Sequence, residues 1–506
     1  MKTILNKIAS REYLPFLILF GVLVLLIELA PINYVLHFSL DDSFYYLKTA
    51  SNQAQGFGST FDRVNFTNGY HPLWFWIVSG MFFLLKLFGV ILPESQYRFV
   101  FTVTALINMG SLLLLHKIWK AVFGVKPSAT LYLLLGSVVF FFVVGLETQI
   151  ALLLFCLYLH SFYSNSRGST RGLYLRACFV SFLFVSRLDF VLFFFPVIAY
   201  TEFQGAKQGL KYSGFAPILF TVIAFTLLVS TVVYNYCSFG EYFTISSKIE
   251  FHLNQFLFLK NMPSPSGKPI TFGLLIFAIS GGAAHSVEYV IFPKRLISQF
   301  EKTVILFYIA SLGFITVHSC FNLGGIKEWY YPYPLFFCIL LLYMISSRYK
   351  TFNRTLKIIS IIGMILFVTI FRLNYYNFDD AYIYAKRVES IVKPNETVYQ
   401  YDLSGIISFF SNRNVVNGDG LINSNEYYEY LHTGNLNGYF ARHPIDYYST
   451  GSFLDRVKDA VFRDTLPVPG GYRFELPSKN ISVILPFESG GIFRKKAGLF
   501  YLVKAR

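Results

Sequence analysis

The sequence predicts an α-helical polytopic membrane protein with a C-terminal extracytoplasmic α/β domain. Three observations carry this. Apolar runs near twenty residues recur, and about twenty residues are needed to cross a bilayer as a helix. Only 14% of the 506 residues are charged and 54% are hydrophobic, against roughly 25% charged in a soluble domain. From about Asn374 the composition turns polar, and short β-like pieces alternate with helical ones.

The first element begins with basic residues and an apolar run, "MKTILNKIASREYLPFLILFGVLVLLIELAPINYVL". The run is longer than a signal-peptide core and has no Ala-x-Ala-like cleavage site, so a retained helix with a cytoplasmic start is expected. The apolar segments fall near 14–36, 72–92, 98–116, 128–146, 148–163, 173–186, 188–201, 213–236, 269–290, 303–320, 329–346 and 356–372, which is about 11–13 membrane helices. The tail then offers "ETVYQYD", "NVVNGDG", "IDYYST" and "ISVILPF" as strands. The expected domains are 1–373 in the membrane and 374–506 outside it.

Charge sets the expected topology. If every segment crosses, the basic loops "HKIWKAVFGVK", "SNSRGSTRG", "QGAKQGLK" and "PKRLISQFEK" lie outside, against the positive-inside bias. If 72–92 is re-entrant or interfacial instead, all of them lie in the cytoplasm. The loop carrying Asp41 and Asp42, the 237–267 loop, Glu147, Arg187, Asp189 and the tail then share the outer face. The chain is thus expected in the plasma (inner) membrane, multi-pass, with its active site and C-terminal domain extracytoplasmic. The net charge of +15 comes mainly from such loops and accompanies no nucleic-acid motif, so nucleic acid is excluded as a partner. The five cysteines lie in or beside apolar segments with no metal-ligand spacing, and are expected to be buried apolar residues.

The loop "LHFSLDDSFYYLKTASNQAQGFGSTFDRVNFTNGYHPLW" is unusually polar for a connector between apolar runs. Ser39 and Asp42 are spaced as a capping box, Gly56 and Gly58 should end the helix, and Asn68-Gly69 reads as a turn before Pro72 opens the next helix. Capping accounts for Asp42 but not for Asp41. Asp41, Tyr45 and Lys48 fall on one helix face (i, i+4, i+7), placing an acid, a phenol and an amine together.

This string resembles the first extracytoplasmic loop of GT-C glycosyltransferases, in a bacterial and archaeal branch with a DD…G-x-G…F-D…N-G-Y-H-P-L-W pattern. "GLETQIALLLF", "SRLDFVLFF", "YNYCSFGEYFTISSKIE", "EWYYPYPL" and "NRNVVNGDGLINSNEYYEYL" resemble further stretches of that branch, in order, with Leu146 at a usual Met and a usual proline missing near Ser246. The resemblance implies a GT-C fold. It implies inverting transfer of a sugar from a polyprenyl-phosphate-linked donor to an extracytoplasmic glycan, lipid or protein acceptor, among membrane lipids. Asp41 would be the general base and Asp42 its partner. Lys248, Arg187, His71 and Tyr70 are candidates for the donor phosphate. Glu147, Asp189, Trp329 and Tyr330 complete the candidate set. No obligatory cofactor is expected. A divalent metal is not favoured, since no Asp-x-Asp pair occurs and two adjacent carboxylates alone hold an ion poorly. The competing readings are a lipid or sugar transporter or flippase, and a non-catalytic scaffold of the same fold. The transporter reading lacks the repeated halves and midplane charges it should show.

Overall fold

The computed structural model describes residues 14–127, 131–132, 145–163, 169–207, 215–253, 255–262, 269–291, 297–323, 327–349, 354–355, 358, 378–452, 457–458, 461–466, 472–477, 481–489 and 496–505. The expected segments 128–146 and 356–372 lie almost wholly outside these residues. The chain forms two compact units. One comprises 1–29, 102–231 and 251–368, and the other 30–101, 232–250 and 369–506.

Four described helices are long and apolar enough to cross a membrane: Pro93–Phe123, Ala216–Phe239, Gly273–Ile291 and Gln299–Phe321. In the first unit the helix Pro332–Ser346 is buried along its whole length and packs against Pro269–Ile291 and Gln299–Phe321. Its side chains are apolar on every face, as befits a helix surrounded by others. Around it Phe155, Phe194, Phe307 and Phe337 make edge-to-face and stacked contacts at 4.8–5.8 Å between ring centres, a geometry aromatic rings favour. By contrast Leu192, Ile218, Val222, Val229 and Val290 point outward, the pattern of a lipid-facing surface. Ionic groups buried in this apolar setting are paired, as burial requires. Arg176 meets Glu202 at 2.6 Å, and Arg348 meets Glu288 and Glu301 at 2.9 Å.

The first apolar segment breaks at Pro31 into helices Leu14–Leu29 and Ile32–Leu36, because proline cannot continue the hydrogen-bond ladder of a helix interior. The 72–92 segment forms a helix of 16 residues, Pro72–Leu87. That is roughly 24 Å at 1.5 Å per residue, short of the ~30 Å hydrocarbon core.

In the second unit the tail carries all four expected strands. Strands β1 (Thr397–Gln400), β2 (Asn414–Asn417), β3 (Tyr447–Ser452), β7 (Ile481–Ser489) and β8 (Lys496–Lys504) form one sheet in the order β2-β1-β3-β8-β7. β1 runs parallel to β2 and β3, while β8 is antiparallel to β3 and β7. β4 (Val457–Lys458), β5 (Val461–Leu466) and β6 (Tyr472–Pro477) form a separate antiparallel sheet. The β1–β2 crossover is the helix Ser404–Ser411, whose eight residues are all buried. It packs on the first-loop helix Asp41–Gln55 on one side and on Asp379–Ile391 on the other. Phe44 lies 5.9 Å from Phe409 and 5.5 Å from Phe410, so the first loop and the tail share one core.

Candidate functional site

The polar first loop is a built structure. Its helix runs from Asp41 to Gln55 and ends at Gly56 in the left-handed conformation (φ 98°), where the lack of a Cβ avoids strain. Asp62 Oδ1 accepts from the N–H of Val64 and Asn65 at 2.9 and 2.7 Å, and Asn52 Nδ2 donates to the carbonyls of Thr60 and Phe61. Asn68 does more than turn the chain. Its Oδ1 accepts from Ile245 N at 3.0 Å and its Nδ2 donates to the Phe243 carbonyl.

The expected capping box does not form. The helix begins at Asp41, with Leu40 before it and no side-chain cap. Ser39 Oγ instead shares a 2.5 Å hydrogen bond with the Tyr97 hydroxyl, so the Ser39–Asp42 spacing is out of register by one residue. Both acids remain in the first turn, where the helix dipole favours them.

Asp41 reaches the tail. Its Oδ1 accepts from Ile406 N at 2.9 Å and its Oδ2 from Gly405 N at 3.3 Å. These amides belong to the open first turn of Ser404–Ser411. Burial pushes the Asp41 carboxyl up to about 7; the two amides oppose this, and the charges of Asp402 and Asp419 add to it. Four residues on, the Tyr45 hydroxyl donates to Asp419 Oδ2 at 2.9 Å and accepts from Asn417 Nδ2 at 3.4 Å. Asn417 also donates to Ser404 Oγ at 2.7 Å. Burial raises Asp419 to about 6, against hydrogen bonds from Leu421 N and Tyr45. Lys48, one turn further, is buried and donates to the Arg413 carbonyl at 3.1 Å. Burial, with Arg63 and Arg413 nearby, lowers its pKa well below the usual lysine value.

Asp419 did not emerge from sequence reading, where "NVVNGDG" stood only as a strand piece. The available signal is topological. Asp402 and Asp419 follow the carboxyl ends of parallel strands β1 and β2, and ligand sites of open parallel sheets lie outside those ends.

The other second-unit candidates occupy definite places. Tyr70 is buried, stacks on Phe75 at 3.9 Å and bonds Ser59 Oγ at 2.5 Å. His71 precedes the Pro72–Leu87 helix, and its N–H donates to the Tyr46 hydroxyl. Lys248 sits on the short helix Ile245–Glu250, 2.6 Å from Glu241 and 3.4 Å from Asn425 Oδ1, with the Tyr428 ring 5.7 Å away.

In the first unit Arg187, Glu147 and Asp189 form one cluster. Arg187 is buried; Nη1 meets Glu147 at 3.0 Å and Nη2 meets Asp189 at 3.0 Å. His318 Nε2 lies 3.1 Å from Asp189. The guanidinium also faces Tyr330 and Phe314 at 5.0 and 5.2 Å. This is a buried, ion-paired centre, not an arginine reaching out to an interface. Trp329 and Tyr330 lie in the 3₁₀ turn Glu328–Tyr330, with Lys327 Nζ 5.7 Å from the Trp329 ring. Among the described residues, the one His/Asp/Glu group compact enough to hold a metal is His285, Glu288 and Glu301, and both its carboxylates already pair with Arg348.

No protein-family profile matches the chain, and no curated protein matches its sequence significantly. Solved structures do match. ArnT from Cupriavidus metallidurans bound to undecaprenyl phosphate aligns over 97% of this chain and 98% of its own, at 10% identity and a TM-score of 0.57. The same protein in the apo state aligns over 96% and 98%, at 11% identity and 0.51. The Archaeoglobus fulgidus oligosaccharyltransferase gives 0.46 over 86% of this chain, too weak a likeness to bear on the fold. With apolar helices able to span a bilayer and a small sheet domain at the C-terminus, the chain is a helical membrane protein with the fold of ArnT.

Proposed function

We propose that the chain is an inverting glycosyltransferase that moves a sugar from a polyprenyl-phosphate donor to an extracytoplasmic acceptor, with Asp41 as general base. The observation that carries this is the seat of Asp41: a partly buried carboxyl, oriented by two backbone amides and poised near 7. A base works best when its pKa lies near the operating pH. The fold adds support, because the similar ArnT was solved with undecaprenyl phosphate.

In the reaction the acceptor hydroxyl oxygen attacks the anomeric carbon. The bond from that carbon to the phosphate oxygen breaks on the opposite face, and the electron pair leaves with polyprenyl phosphate. The hydroxyl proton passes to Asp41. The amides of Gly405 and Ile406 use one lone pair on each carboxylate oxygen, leaving others for the proton. Lys248 is the cation we assign to the leaving phosphate, its pairing with Glu241 giving way to the donor. Arg187 already faces two carboxylates and is assigned to structure. No step requires a metal ion.

One observation favours a second reading. Asp41 caps the Ser404–Ser411 helix, so its role could be purely structural. The test uses protein reconstituted in vesicles, a panel of radiolabelled undecaprenyl-phosphate hexoses and pentoses, and envelope extract as acceptor. Asp41→Asn should lose release of undecaprenyl phosphate by about two orders of magnitude or more, with a melting temperature near that of the wild type. Asp42→Asn should retain most activity. If the wild type consumes no donor, or if Asp41→Asn keeps near-wild-type turnover, the assignment ends. Parallel loss of melting temperature and transfer would favour the capping role.

A further inference from the structure

The tail does more than cover the first loop. Helix Asp41–Gln55 presents Asp41 and Tyr45 on one face, and both bond tail residues: Asp41 to Gly405 and Ile406, Tyr45 to Asp419. Asn417 links the Tyr45 hydroxyl to Ser404 at the start of the same tail helix. The backbone at this junction is shaped for the contact. Leu403 adopts a left-handed conformation (φ 58°), rare for a bulky residue and costing on the order of 1–3 kcal/mol. A Cβ on Gly405 would lie 2.5 Å from the Asp41 carbonyl oxygen and 3.0 Å from Asp41 Oδ1.

We propose that Asp419 is a positioning residue for Asp41: acting through the Tyr45 hydroxyl, it clamps the face of the first-loop helix on which Asp41 meets the Gly405 and Ile406 amides. The assignment of a role in transfer rests on the reading of Asp41 as base. The clamp itself rests on geometry alone. The titratable groups around Asp41 are Asp42 and Tyr45 on its own helix, and Asp402 and Asp419 from the tail. A nearby like charge disfavours ionisation, so Asp419 also bears on the pH at which Asp41 can accept a proton. Asp402 is exposed, where solvent screens its charge more. Asp419 is partly buried and hydrogen-bonded.

The test is infrared titration of the full-length protein in lipid nanodiscs, with protons as the probe. The Asp41 carboxyl band is identified by its absence in Asp41→Asn. In the wild type its midpoint should lie near 7. Asp419→Asn keeps the shape and an oxygen for Tyr45 but removes the charge, so the midpoint should fall. Asp419→Ala removes the clamp as well, and hydrogen exchange across 404–411 should quicken there but not in Asp419→Asn. Exchange across 404–411 that stays as slow in Asp419→Ala as in the wild type overturns the proposal. Should Asp419→Ala fail to fold, Tyr45→Phe, which removes only the hydroxyl that Asp419 accepts, decides by the same measurement. The two readings fail separately. If Asp41→Asn transfers sugar normally while exchange across 404–411 quickens in Asp419→Ala, the base is lost and the clamp stands. If Asp41→Asn is inactive while that exchange is unchanged in Asp419→Ala, the clamp is lost and the base stands.

Discussion

Asp41 Oδ1 accepts the backbone N–H of Ile406 at 2.9 Å, across 365 residues of chain. The contact joins the first turn of one helix to the open N-terminus of another. It makes the first loop and the tail parts of one structure.

This contact gives stability a pH dependence of definite sign. Folding raises the Asp41 and Asp419 carboxyls to about 7 and about 6, above their ordinary value. Between about pH 4 and 7 the native state therefore binds more protons than the unfolded state, and stability falls as pH rises. Other carboxylates contribute to the total, so the informative quantity is a difference. The loss of melting temperature between pH 5 and pH 8 should be smaller in Asp41→Asn than in the wild type, measured by thermal scans in detergent. An equal loss in both would show that Asp41 does not carry this dependence.

Gly405 should tolerate no side chain. A Cβ there would also come within 3.0 Å of Tyr45 Cδ1, and forcing extra atoms into a packed site costs about 1–3 kcal/mol. Gly405→Ala should lower the melting temperature. Gly80→Ala is the control, because nothing lies within 4 Å of the new Cβ in the Pro72–Leu87 helix, and Ala is favoured over Gly there by about 0.5–1 kcal/mol. Equal melting of the two variants would contradict the close approach.

Arg187 is expected to be structural. Removing it by Arg187→Met leaves Glu147 and Asp189 facing each other's charge without their counter-ion, which for a buried pair costs about 3–5 kcal/mol. Adding Glu147→Gln and Asp189→Asn should recover much of the loss, read as melting temperature. Should Arg187→Met melt like the wild type yet lose undecaprenyl phosphate binding, the phosphate role returns.

The charge argument for topology has its own check. In a background without native cysteines, a cysteine at exposed Asn412 should react with an impermeant maleimide added to intact cells. One at exposed Val125, just past the Pro93–Phe123 helix and within the basic stretch that ends at Lys126, should not. The reverse pattern would overturn the proposed orientation.

Much of this molecule is written locally. Apolar run lengths predict a helical membrane protein, and the tail strands were legible from their β-branched and aromatic pieces, because membrane crossing and strand formation depend on composition over short windows. Gly56 closing the first-loop helix and Pro72 opening the next were equally legible, since their backbone constraints act within one turn. The failures share one cause. Ser39 and Asp42 have capping-box spacing, yet Tyr97 draws the Ser39 hydroxyl away. Arg187 reads in sequence as a candidate for the donor phosphate, and only the fold pairs it with Glu147, forty residues earlier. Asp419 stood only at the end of an expected strand piece, "NVVNGDG", and the fold alone bonds it to Tyr45, 374 residues away. Local spacing determines which groups can share a helix face. Only packing between distant segments decides which polar group is buried beside which, and that choice sets the charge, the hydrogen-bond partners and the proton affinity of Asp41.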